Sequence, residues 1–153
     1  MATIRLEKNF PDAQIIKTKL NEEPYFNKNK VDFIYMGPMT EKNCIKVCQK
    51  LLPYKKKIKK LIEENTVFLF IGNAMDILGE KIKLHNKQEI EGLKILKITS
   101  ENNLDTRYNS LFQGSFALEK HIIVGYKSQS KQMKSEEKPL FTVIKEKNNT
   151  HQE

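Results

Sequence analysis

The stretch that most constrains this chain is Thr66-Val67-Phe68-Leu69-Phe70-Ile71-Gly72-Asn73-Ala74-Met75-Asp76-Ile77-Leu78-Gly79. Its first half is a continuous apolar run rich in β-branched and aromatic residues, the pattern of a strand buried on both faces. At Gly72 the pattern changes. Ala74, Met75, Ile77 and Leu78 fall at helical spacing, and Gly79 is placed to end a short helix. A central strand that turns sharply into a helix is the geometry of a nucleophile elbow. Such a turn lifts one side chain clear of the sheet, and N–H groups at the helix start can hold an oxyanion. The residue at this turn is Gly72, which has no side chain, so the sequence predicts an elbow without a nucleophile.

The segments around the elbow predict an α/β domain. Ala2–Lys8 reads as a partial helix, and Ala13–Leu20 alternates toward its end as a strand does. A polar loop over Asn21–Lys30 leads to a second strand at Val31–Met36, ending at Gly37-Pro38. Thr40 is placed to cap the next helix, with Glu41 favourable in its first turn. Cys44, Ile45, Val47, Cys48, Leu51 and Leu52 form its apolar stripe, and Pro53 suits the first position of another helix that continues through Ile62. Strands Val31–Met36 and Val67–Ile71 are expected side by side and parallel, joined by this helical crossover. After Gly79 come short segments expected as strands, at Lys81–Leu84, Leu93–Thr99, Ser115–Glu119, His121–Lys127 and Leu140–Glu146. Alternation in the second and last of these suggests half-exposed antiparallel pairs. Ser128–Lys138 reads as a charged, serine-rich loop, residues 1–147 as one domain, and residues 148–153 as a polar tail.

Charge narrows the classes of function. The net charge of +8 comes almost wholly from lysine, Arg5 and Arg107 being the only arginines. Nucleic-acid sites usually combine arginine with exposed aromatics, so nucleic acid is not the expected partner. The lysine knot at Lys55, Lys56, Lys57, Lys59 and Lys60 reads as a solvated helix face. Cys44 and Cys48, spaced i, i+4, read as core residues without a histidine near enough to complete a metal site. No metal and no cofactor is expected. His85, His121 and His151 read as surface histidines, Glu91 and Glu101 as isolated carboxylates, and Asp76 as a helix-surface aspartate in preference to a remnant polar group near the old pocket. No apolar run is long enough to span a membrane, and the expected location is the cytoplasm.

Four pieces in order carry a family resemblance: Val31-Asp32-Phe33-Ile34-Tyr35-Met36-Gly37, the elbow from Phe70 to Gly79, Ile90-Glu91-Gly92-Leu93-Lys94-Ile95-Leu96, and Ile123-Val124-Gly125-Tyr126. Together they resemble class I glutamine amidotransferase domains of the cobyric-acid-synthase type, the branch that includes the glutaminase subunit of lipid II isoglutaminyl synthase. The resemblance spans most of the chain. It implies a three-layer, flavodoxin-like α/β fold with a mostly parallel central sheet and additional antiparallel strands in the C-terminal half.

Members of that family hydrolyse glutamine with a cysteine and a histidine and pass ammonia to a synthetase partner. The family's Cys-Gly-Gly-Tyr-Gln elbow corresponds to Gly72-Asn73-Ala74-Met75-Asp76, and its Gly-Gly-Gly oxyanion loop to Gly37-Pro38-Met39. Pro38 has no N–H, and Met39 does not adopt positive φ cheaply. The family's Phe-Glu-Asn-His segment corresponds to Tyr126-Lys127-Ser128-Gln129, and Lys147-Asn148-Asn149 matches the turn that precedes its catalytic histidine. The family's first strand and its Leu-His-Gly-Pro motif have no counterpart in the sequence. The resemblance thus implies an inactive binding or scaffold subunit whose partner is a Mur-ligase-like synthetase of peptidoglycan amidation, or else a homodimer. The alternatives are an active glutaminase subunit and a non-functional fragment of one.

Overall fold

The computed structural model describes residues 2–103, 105–118 and 121–148. Two strands, β1 (Phe33–Met36) and β2 (Val67–Phe70), run parallel in the register Phe33 to Val67 and Met36 to Phe70. The expected neighbours are therefore neighbours. Between them lies the expected crossover. Helix α1 (Ala2–Asn9) precedes β1, and α2 (Glu41–Leu51) and α3 (Lys55–Glu63) join β1 to β2. Thr40 caps α2, its hydroxyl accepting the Asn43 N–H. Pro53 sits in the 3-10 turn Leu52–Tyr54 between α2 and α3, where a missing N–H costs nothing.

The core forms where α2 meets the turn after β2. Cys44, Cys48 and Leu51 lie on one helical face at i, i+4, i+7 and are buried with Ile58, Ile77, Leu78, Ile82, Leu84 and Leu93. Each large aliphatic side chain fully buried there contributes roughly 1.5–3 kcal/mol.

Beyond Gly79 the chain builds two more sheets. One has the order β4-β3-β5-β8, from β3 (Lys81–Lys83), β4 (Glu89–Glu91), β5 (Ile98–Asn102) and β8 (Lys131–Ser135). Within it, β3 pairs parallel with β5 and antiparallel with β4, and β5 pairs antiparallel with β8. The other has the order β7-β6-β9, from β6 (Tyr108–Phe116), β7 (Ile122–Gln129) and β9 (Phe141–Asn148), all antiparallel.

Several expectations are corrected. Ala13–Leu20 is not a strand: it pairs with no other segment, and Ile16 and Leu20 stay exposed. The end of this segment is fastened instead by Lys50, whose Nζ donates to Leu20 O and Glu22 O. Leu93–Lys97 is not part of a strand either. Lys94 has φ of 51°, and the N–H groups of residues 93–96 are used by the carbonyls of Ile77, Leu78 and Gly79. Ser128–Lys138 is not a loop, because β7 runs on to Gln129 and β8 follows, its backbone taken up by β5. Of the segment expected at Ser115–Glu119, Ser115 and Phe116 end the longer β6, Ala117 and Leu118 lie beyond it, and Glu119 is outside the described residues.

The sheet at β1–β2 is also not buried on both faces. It alternates, with Ile34, Met36, Phe68 and Phe70 turned to the interior while Phe33, Tyr35, Val67, Leu69 and Ile71 are 40–56% exposed. α2 and α3 cover one face only. Among the described residues the architecture is mixed α/β in three small sheets, with antiparallel pairings in the majority rather than one mostly parallel sheet. The polar tail expected from residue 148 falls almost wholly outside the described residues.

Two glycines of the quoted motifs have a packing reason. A Cβ on Gly92 would lie 2.2 Å from Gly79 O, and one on Gly125 would lie 2.8 Å from the ring of Phe112 directly across the ladder. The first permits backbone to lie on backbone, and the second lets an aromatic ring close over a bare strand position.

Candidate functional site

The elbow forms at the expected residue. β2 hands its ladder to Ile71, whose N–H donates to Met36 O at 2.9 Å, and Gly72 then turns the chain with φ of 64°. That value lies in the left-handed region, where glycine alone is at ease. The following segment Gly72–Leu78 is wound as a 3-10 helix and stops at Gly79.

Gly72 offers no nucleophilic atom, and the turn has little room for one. A Cβ there would come within 3.1 Å of Pro38 Cβ. The neighbouring loop Gly37-Pro38-Met39 lies against the elbow, and its Met39 donor is committed. Met39 N–H donates to Asn73 Oδ1 at 2.9 Å, and Asn73 Nδ2 donates back to Met39 O at 2.7 Å. Pro38 has no N–H, so neither residue 38 nor residue 39 presents a free backbone donor to an oxyanion.

Asp76 overturns its expected place on a helix surface. It is 1% exposed, and Lys131 Nζ donates to its Oδ1 at 2.7 Å. Lys131 also reaches Gly72 O at 3.4 Å, so one cation spans the two ends of the elbow turn. Burial pushes the Asp76 carboxyl above the ordinary aspartate range, and Lys131 opposes that rise. Among the described residues Asp76 Oδ2 and Ser100 Oγ, both buried, make no hydrogen bond of good geometry, although Ser100 is near enough to join Lys131 in opposing the rise. The 3-10 winding explains why the sequence hid this. With three residues per turn rather than 3.6, the half-buried outward position falls at Met75, and Asp76 is turned inward with Ala74, Ile77 and Leu78. Lys131 lies in the stretch expected as a loop, where Met133 is the one apolar residue and no alternation of apolar and polar residues marks β8.

The thiols sit close by and are inert. Cys44 Sγ lies 3.6 Å from Asn73 O, and Cys48 Sγ donates to Glu91 O at 3.1 Å. Burial, with the nearby Asp76 charge adding to it, pushes the Cys44 thiol up to about 12, and burial raises Cys48 as well. Neither can supply a thiolate near neutral pH. They are the core residues that the sequence indicates.

The remaining expected site segments stand apart from the elbow. Tyr126-Lys127-Ser128-Gln129 lies in β7 of the three-stranded sheet, where Lys127 pairs with Glu146 at 2.6 Å. Lys147 and Asn148 end β9, while Asn149 and His151 lie outside the described residues. His85 is half-exposed, 3.8 Å from Asp105, and His121 is exposed just before β7. Among the described residues no group of three or more His, Cys, Asp or Glu side chains could hold a metal ion. None of the helices there is long and apolar enough to cross a membrane. The lysine knot on α3 surrounds buried Ile58 and Leu61 as the solvated part of an amphipathic helix. Comparison with models of known protein families finds no match, and none of the curated proteins matches the chain.

Proposed function

We infer that this chain is a catalytically inactive relative of the class I glutamine amidotransferase domains, acting as a binding or scaffold subunit for a Mur-ligase-like synthetase in peptidoglycan amidation. The observation that carries the reading is the elbow itself. A parallel strand turns into a short helix at a glycine with positive φ, beside a loop in which Pro38 has no N–H and the Met39 N–H is taken by Asn73. The helical crossover between β1 and β2 supports the same reading, as does the seclusion of both thiols. In this view the fold is three-layered and flavodoxin-like, with β1–β2 in the middle layer. The bare face of Phe33, Tyr35, Val67, Leu69 and Ile71 receives its second layer from the partner or from a second copy. The location is the cytoplasm, where the synthetase's substrates are assembled.

The test is release of glutamate and ammonia from glutamine by the purified chain and by Gly72→Cys, with a working glutaminase alongside. Loss of a nucleophile or its base typically costs about 10⁴-fold in rate, and a lost oxyanion donor about 10²-fold more. Wild type is expected to show no turnover, and Gly72→Cys to show none either, since Pro38 and Asn73 still block the donor loop. Wild-type turnover above about 10⁻² per second, against the ~10 per second of ordinary enzymes, overturns the inactive reading. Rescue by Gly72→Cys alone refutes the account of the donor loop. Light scattering of the chain with a Mur-ligase-like synthetase tests the scaffold role, and a stable monomer that never associates rejects it.

A further inference from the structure

The outer strands of the three sheets are not alike. β4 and β8 bound one sheet and β7 and β9 another, and each carries lysine or glutamate within the strand. Such charges keep an open edge from pairing with another chain. β1 and β2 carry none. β2 differs from β1 in what lies beside its open edge. The N–H groups of Val67 and Ile71 donate to Asp32 O and Met36 O, so alternate positions of β2 face β1. Phe68 and Phe70, between them, turn their N–H and C=O groups to the open side. An apolar groove of about 340 Å³ is lined by Ile62, Thr66, Phe68, Phe70, Met75 and Leu96, with no charged side chain. No residue of β1 lines it, so it lies along the side of β2 away from β1. On the opposite face of the strand Val67, Leu69 and Ile71 are bare.

The geometry points to the open edge of β2 as a pairing site for the same edge of a second copy of this chain, β2 against β2 antiparallel about a twofold axis at Leu69. A strand added here meets the groove on one face and the bare row on the other, so it must be apolar on both. β2 itself has that pattern. About this axis Phe68 exchanges both backbone bonds with Phe70 of the second copy, and Leu69 faces its own counterpart. Like faces then coincide, the phenylalanines on the groove side and Val67, Leu69 and Ile71 on the bare side. The pairing turns a two-stranded sheet, marginal by itself, into a continuous β1-β2-β2-β1 sheet. β1 is uncharged too, but β2 laid on β1 of a second copy is a head-to-tail contact, whereas β2 on β2 closes as a dimer. The net charge of +8 opposes association. Since no charged side chain lines the groove, that repulsion acts at long range, and salt screens it over about 8 Å at physiological ionic strength. The dimer therefore tightens as salt rises. Pairing over Val67–Ile71 buries less than the roughly 1,600 Å² of standard interfaces, which sets the dissociation constant in the micromolar range. This inference goes beyond the amidotransferase reading and stands without it.

The experiment uses the full chain in sedimentation equilibrium. The mass is expected to rise from 17.9 kDa toward twice that value through the micromolar range, and at lower protein concentration in about 0.5 M salt than in about 0.05 M. Leu69→Lys should raise the dissociation constant about tenfold or more, while Tyr35→Lys, one strand further from the axis, should change it less than about threefold. Both positions are half-exposed, and unchanged near-ultraviolet circular dichroism confirms that the variants are folded. Leu69→Cys is a milder second readout. Side chains facing each other in a non-hydrogen-bonded pair have Cβ atoms about 4.5 Å apart, close to disulfide distance. Oxidised glutathione should therefore link Leu69→Cys into a dimer about tenfold faster than Tyr35→Cys, the two native thiols being buried. A mass fixed at 17.9 kDa up to about 1 mM overturns the proposal, as does assembly beyond a dimer or equal cross-linking of the two cysteine variants. A dimer lost in Tyr35→Lys as well as Leu69→Lys belongs to stacked bare faces, and one that weakens as salt rises belongs to a charged surface; either result refutes the edge pairing.

Discussion

Replacing Gly92 by alanine should remove a large part of the stability of this fold, although the position is neither at the elbow nor in a left-handed conformation. The added methyl would sit 2.2 Å from Gly79 O, 2.9 Å from Gly79 C and 3.2 Å from Asp76 O, all of them backbone atoms. Ordinary contact lies near 3.5 Å, so the two segments must part by about 1 Å. The bonds that hold them are Gly92 N–H to Glu80 O at 3.0 Å, Leu93 N–H to Ile77 O at 2.8 Å and Lys94 N–H to Gly79 O at 2.8 Å. Stretched by that much, they pass beyond hydrogen-bonding range. Two or three lost bonds at about 1 kcal/mol each, plus overpacking strain of about 1–3 kcal/mol, outweigh the roughly 0.4–1 kcal/mol that alanine contributes by stiffening the unfolded chain. The net loss is about 3 kcal/mol, against a total of some 5–15 kcal/mol for a domain of this kind. Urea unfolding followed by far-ultraviolet circular dichroism measures it. Gly37→Ala is the control, because its Cβ would meet only the far end of one side chain, Tyr35, whose hydroxyl is nearest at 3.0 Å. A Gly92→Ala midpoint within about 0.5 kcal/mol of wild type would show that the contact between Gly79 and Gly92 does not hold the fold together.

Two other outcomes follow from the site. Cys44 and Cys48 should resist Ellman's reagent at pH 8 in the native chain and react fully in denaturant; rapid native labelling of either would contradict their burial and raised thiol pKa. Asp76 should make stability fall as pH rises. Its carboxyl is raised in the folded state, so the folded chain binds more protons than the unfolded one between the ordinary aspartate range and that higher value. Asp76→Asn should therefore gain on wild type as pH climbs through that window, read as the difference in urea midpoints. A difference that does not change with pH refutes the assignment.

What could be read from the sequence was what local chemistry decides. The change of period at Gly72, the cap at Thr40 and the tolerated Pro53 each depend on residues within a turn or two, and each is where the sequence places it. Apart from the parallel β1–β2 pair, which the helical crossover between the two strands implies, long-range partners were not legible. Nothing near Asp76 announces Lys131, which lies 55 positions away. Ala13–Leu20 carries an alternating pattern, but a pattern becomes a strand only when another edge accepts it. β8 is the converse, a short charged run that looked like a loop because its outer positions face water. The bare face of β1–β2 was hidden for a similar reason, since the apolar run would look the same with one covering layer or two.

The pair of bonds between Asn73 and Met39 has a consequence for any ligand of the turn. A side-chain amide carries the same donor and acceptor set as a peptide unit, and here it closes on the backbone as a fragment of strand would. The turn is thus self-liganded, its donor filled by a group encoded one residue after Gly72. Because that group is tethered, an outside anion must compete against a partner present at high effective concentration, without the loss of translational freedom that its own binding entails. Specificity at such a turn is set less by what could fit there than by how readily residue 73 lets go.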